Sequence, residues 1–135
     1  MKLLRQLYEK IKEPKPIYSR NKSKAELKGI LQDGEDVIFG IDLRDSYISA
    51  YRNKWFLTET KLVFISKELP LDITREIYLF NQIEEMKIFE DESIFVIVTE
   101  QGRQGFELDS DLKKEFADQA ILQFELYTDV VSQSE

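Results

Sequence analysis

The sequence contains no cysteine and no histidine. Without cysteine there can be no disulfide scaffold, no thiolate metal site and no thiol nucleophile, a composition that suits a reducing compartment and makes the cytoplasm the expected location. Without histidine the usual general base near neutral pH, the commonest metal ligand and every Ser-His pair are gone. Only carboxylate or lysine chemistry remains, so a non-enzymatic protein with no cofactor and no metal is expected. Long apolar runs are lacking too. The start, MKLLRQLYEKIK, never places more than two apolar residues together, unlike the 7–15-residue apolar region of a signal peptide. No stretch approaches the ~20 apolar residues that cross a bilayer as a helix.

At 135 residues the chain fits one domain, long enough to bury about two-thirds of the surface its unfolded form exposes. The net charge of -7 is unevenly spread. Residues 1–28 hold nine Lys and Arg against three Glu, whereas the other 107 residues hold 10 basic and 23 acidic side chains. So acidic a body repels phosphate backbones and anionic lipid, which leaves the first 28 residues as the place for any such contact.

Leu3, Leu4, Leu7, Tyr8 and Ile11 make one stripe of a helix, with Lys2, Arg5, Glu9, Lys10 and Lys12 opposite. Pro14 and Pro16 end it, and KPIYSRNK reads as an extended linker. Ser23 with Glu26 three residues on has capping-box spacing, predicting a short helix over SKAELKGIL that closes near Gly34. A helical N-terminal extension, residues 1–33, is thus expected to precede a main domain over residues 34–131.

From Glu35 the period falls from 3.6 to 2. In EDVIFGIDLR the residues Val37, Phe39, Ile41 and Leu43 face one way, and Asp36, Asp42 and Arg44 the other. Asp45-Ser46 is a turn. In YISAYRNKWFLT the alternation sets Tyr51, Asn53, Trp55 and Leu57 against Arg52, Lys54 and Phe56. KLVFIS, ITREIYLF and IEEMKIF follow as strands, with a loop at Pro70 and a turn at EDES. IFVIVT is apolar on both parities, as in a strand covered on both faces. QGRQG turns the chain into FEL. Last come Leu112, Phe116, Ala120, Ile121, Phe124, Tyr127 and Val131 at helical spacing, behind the N-cap candidates Asp109-Ser110-Asp111.

The stretch FLTETKLVFIS resembles the strand-turn-strand signature of bacterial pleckstrin-homology-like (PH-like) domains: a hydrophobic residue, Leu-Thr, two variable positions, a Lys or Arg, then an apolar strand. GEDVIFGI is similar to the first strand of that family, IYLFNQIEEMKI to the lead into its fifth, GRQGFEL to its last hairpin and FADQAILQF to its C-terminal helix. The resemblance spans roughly residues 34–127. It implies a mainly β protein with helices, a small seven-stranded antiparallel β-barrel built from two nearly orthogonal sheets and capped by the final helix, as in the similar GRAM domains.

Such folds are known for binding inositol phosphates through basic residues on the first two strands, a Lys, a spacer, then two basic residues flanking one other. Arg44, Arg52 and Lys54 echo that spacing. Asp42, Asp45 and Glu59 lie close by, and a charge-mixed solvated strand face is the plainer reading of the same residues. Lys67, Arg75 and Arg103 complete the candidate contacts for a ligand or partner, beside loops at Asp45-Ser46, Lys67 to Asp72 and Gln101 to Gly105.

Other constellations reduce to structure. Asp109-x-Asp111 with Glu115 lacks a third ligand and has Lys114 where a calcium loop needs glycine, so it reads as a helix cap. Glu84-Glu85 and Glu90-Asp91-Glu92 are solvated charges rather than a converging glycosidase pair. Tyr51, Trp55 and Phe56 beside Arg52 and Lys54 would suit a single-stranded nucleic acid, but the acidic body argues against one. Two functions remain: a binding or assembly domain that engages a protein partner or itself through sheet edges and loops, or a peripheral membrane module using the basic N-terminal helix with Arg44, Arg52 and Lys54.

Overall fold

The computed structural model describes residues 15–17, 20–43, 52–68 and 72–133. The predicted N-terminal amphipathic helix, Arg44 and the Asp45-Ser46 turn lie outside the described residues. Strands β2 (Val37–Asp42), β3 (Arg52–Thr58), β4 (Lys61–Glu68) and β5 (Asp72–Leu79) form an antiparallel sheet in sequence order, extended at its first edge by the two-residue β1 (Lys15–Pro16). A short 3₁₀ turn, Phe80–Gln82, leads into a second antiparallel sheet of β6 (Ile83–Phe89), β7 (Ile94–Thr99) and β8 (Gly102–Glu107). Helix α1 (Arg20–Glu26) lies between β1 and β2, and helix α2 (Asp111–Gln133) follows the strands. Seven full strands and a closing helix match expectation. A closed barrel does not: among the described residues the two sheets share no ladder, leaving β5 and β8 paired on one side only.

Period-2 alternation divides the first sheet's side chains between two cores. Ile41, Leu43, Trp55, Leu57, Leu62 and Phe64 face the second sheet and α2, where they meet Phe95, Ile97, Phe116 and Ala120. The side chains of opposite parity, Phe56, Val63 and Ile65, face away from that core and are 1% exposed or less. Leu27, just past α1, is also fully buried there, with Ile17, Ile30, Leu31 and Val37 around it. Full burial of a residue of this size is worth about 1.5–3 kcal/mol, so four of them fix the segment after α1 onto the sheet. Gly40 sits opposite Phe56, and its hydrogen occupies the one spot from which a Cβ would meet the Phe56 ring at 3.0 Å.

Three local departures have identifiable causes. Val37 joins the second core rather than the first, because a bulge between Val37 and Phe39 inserts Ile38 and reverses the facing of everything before it. Ser23 and Glu26 make no capping box: α1 begins at Arg20, so buried Ser23 is interior to the helix and Glu26 ends it, its carboxylate turned to the sheet. Instead of a helix running to Gly34, the chain turns from Leu27 onward, with Gly29 at φ 84°. Finally, GRQG is strand rather than turn, since the β7–β8 ladder begins at Thr99 opposite Gly102.

At the other end Ser110 caps α2, its Oγ accepting a hydrogen bond from the Lys113 amide at 3.3 Å. Asp109 pairs with Lys113 at 2.8 Å, and that bond outweighs partial burial to hold its carboxyl below the usual range. Phe116, Ala117 and Ala120 are fully buried, and Phe124 and Tyr127 reach Phe80 at ring distances of 5.7 and 5.5 Å. Val131, at the end of the expected stripe, is 41% exposed.

Candidate functional site

Two of the basic candidates, Lys54 and Lys67, come together around one carboxylate. Lys54 and Lys67 lie on the sheet face that α1 roofs, and both are bound by Glu26: Lys54 Nζ donates to Oε1 at 2.5 Å and Lys67 Nζ to Oε2 at 3.0 Å. Partial burial alone would raise the Glu26 pKa, but the two lysines outweigh it and lower it. Arg52 stands opposite Lys67 in the ladder. Arg75 shares this face two strands along, opposite Ile65, and is exposed. Arg103 is on the other sheet, its guanidinium 6.0 Å from the Phe89 ring. An anion approaching Lys54 and Lys67 therefore meets a carboxylate already seated between them.

A second ionic centre sits at the opposite end of the same roofed face. Glu35 Oε1 accepts from Lys61 Nζ at 2.7 Å and from the Gln32 amide at 2.9 Å, while Oε2 accepts from the hydroxyls of Thr58 at 2.5 Å and Thr60 at 2.6 Å. Lys61 Nζ also donates to the Ile30 carbonyl at 3.0 Å. Both charged side chains are only 3% exposed. Burial would push Glu35 up; four donors overcome it and bring its pKa down to about 2. Thr58 and Lys61 are the Thr and Lys of the Leu-Thr-x-x-Lys signature, whose side chains here anchor the 30–35 segment to the β3–β4 turn. The sequence signal was a lysine opening an apolar strand, a charge that needs a partner once it is buried, as Lys61 is.

What the fold leaves open is the seam between β5 and β8. Aromatic rings close its floor, with Phe64 and Phe106 stacked at 4.4 Å and Tyr78 edge-on to Phe106 at 6.3 Å. A cleft of about 410 Å³ opens at one end between Tyr78, Ile77 and Asn81 on one side and Thr99 and Gln101 on the other. A groove of about 350 Å³ opens at the other end between Ser66 and Glu76 and the Gly105–Glu107 stretch. Tyr78 donates to Glu76 Oε2 at 2.9 Å, and burial followed by that carboxylate drives the phenol pKa well up. On the other face of β5, the one that Arg75 shares, Ile73 and Ile77 are 48% and 43% exposed. Among the described residues no group of His, Cys, Asp and Glu is placed to hold a metal, and no helix is long and apolar enough to cross a membrane.

No protein-family model matches the chain, and no curated protein matches it significantly. A solved structure does: a DUF1696 family protein with a pleckstrin-homology domain from Shewanella loihica PV-4, with a TM-score of 0.61 and 11% sequence identity. The match covers 83% of this chain and 97% of that one. At that identity the likeness speaks for the fold, and the fold is PH-like: two antiparallel sheets with a C-terminal helix packed on their shared core.

Proposed function

We propose that the protein is a non-enzymatic binding or assembly module whose working surface is the β5–β8 seam, where an extended segment of a protein partner, or of a second copy, adds to an unpaired sheet edge. The observation that carries this reading is the pair of one-sided strands flanking an aromatic-floored groove. An unpaired edge offers a row of backbone donors and acceptors, and the neighbouring grooves can take alternate side chains. The PH-like neighbour supports a binding role in general terms. A lipid-binding role gains no support from Lys54 and Lys67, because Glu26 occupies both.

The test has two arms. Sedimentation velocity of the full chain over rising concentration should reveal a dimer that Ile73→Lys/Ile77→Lys abolishes, if the second copy is the partner. If the chain stays monomeric, a selection from a peptide library should yield extended binders that protect β5 or β8 amides from hydrogen exchange. A strict monomer from which no such peptide can be selected would sink the reading.

A further inference from the structure

We propose that the outward side of α2 is the docking site for this chain's own N-terminal segment, residues 1–12. Leu122 and Leu126, one turn apart, are 58% and 50% exposed, far more than the buried Phe116–Ala120 side of the same helix. At 100° per residue, Glu115, Asp118, Leu122, Glu125, Leu126 and Asp129 fall within an arc of about 100°. That arc therefore combines two large apolar side chains with four acids, and α2 carries no Lys or Arg beyond Lys114.

The segment fits this surface in both respects. Leu3, Leu4, Leu7, Tyr8 and Ile11 recur at helical spacing, and Lys2, Arg5, Lys10 and Lys12 surround them against the single Glu9. A second copy of α2 fits poorly, since pairing two such arcs would bring four acids against four. Position agrees as well. Only Glu13 and Pro14 separate the segment from Lys15, which stands opposite Asp42 of β2. β2 lies under the first half of α2, with Phe39 and Phe116 at a ring distance of 6.0 Å. A second exposed apolar pair, Ile73 and Ile77 on β5, lies four strand spacings from β1, about 19 Å. Twelve residues in helical form span about 18 Å, ample for the ~6 Å between Leu122 and Leu126.

The absence of native cysteine makes the test direct. In the full chain, Leu7→Cys/Leu126→Cys should form an intramolecular disulfide at least five times faster than Leu7→Cys/Ile77→Cys, with unchanged circular dichroism. Equal rates, faster closure to position 77, or cross-links only between molecules would overturn the proposal. A second measurement needs no new bond: amide exchange over residues 3–11 should be protected in the parent and at least ten times faster in Leu122→Asp/Leu126→Asp. Protection absent from the parent, or undiminished in the variant, would also overturn it. Only the reference cysteine at position 77 lies at the β5–β8 seam, and the amide-exchange readout involves no seam residue, so this proposal and the partner-binding one can fail separately.

Discussion

Lys61 Nζ lies 2.7 Å from Glu35 Oε1, and the two side chains share a pocket closed to solvent. A buried pair of this kind costs much of its attraction in desolvation, whereas removing one partner strands the other charge in a low-dielectric site. Lys61→Met should therefore destabilise the protein by about 3–5 kcal/mol in urea unfolding. Glu35→Gln/Lys61→Met should cost clearly less than the two single losses together. Strict additivity would mean that the pair does not act as a unit.

The same centre sets an acid limit. Glu35 is held at about 2 in the folded state against an ordinary value of 4.5, so the unfolded chain takes up its proton first as pH falls. The associated stability, on the order of 3 kcal/mol, is fully present above pH 4.5 and drains away between 4.5 and 2. Glu26 and Asp109 are shifted in the same direction and add to the loss. Stability measured by urea at a series of pH values should fall through this window, and Glu35→Gln should flatten the fall. An equally steep decline in that variant would assign it to other carboxylates.

Much of this architecture was legible from residue spacing, and the failures share a cause. The strands and α2 show in the sequence because burial on one face writes a period of 2 or 3.6 that needs no knowledge of partners. The alternation puts Trp55 and Phe56 on opposite faces, and both are buried. What escaped depends on contacts between residues distant in sequence. Ser23-x-x-Glu26 has the right local spacing for a cap, but two lysines 28 and 41 residues further along claim Glu26. Ile38 looks like any strand residue until β3 shows it to be an insertion. Barrel closure likewise requires β5 and β8 to meet, and nothing in either strand's alternation states whether they do. Among the candidate contacts, nothing in the spacing of basic residues pairs Lys54 with Lys67 or reveals the carboxylate that joins them.

The Glu26 bridge predicts a specific response to charge removal. Glu26→Gln leaves Lys54, with 11% of its side chain exposed, without its anion, at a cost of about 1–2 kcal/mol; Lys67, at 34%, is partly screened by water and adds little. The variant should also show a salt-sensitive retention on a phosphate resin that the parent lacks. If parent and variant elute together, Lys54 and Lys67 are not held from anions by Glu26.

Gly40 offers the sharpest steric test because its constraint comes from one ring. A Cβ there would lie 3.0 and 3.1 Å from two carbons of Phe56 and 3.5 Å from Ile17. Phe56 is itself fully buried between Leu27, Val63 and Ile65, so it has no room to swing aside. Gly40→Ala should cost about 1–3 kcal/mol by overpacking, despite the better strand propensity of alanine. Gly40→Ala/Phe56→Leu should recover part of that loss, since the smaller side chain makes room for the methyl group. A Gly40→Ala chain as stable as the parent would show that the second core yields more readily than its burial implies, and that the 20–36 segment rests on the Glu26 and Glu35 ion pairs more than on packing.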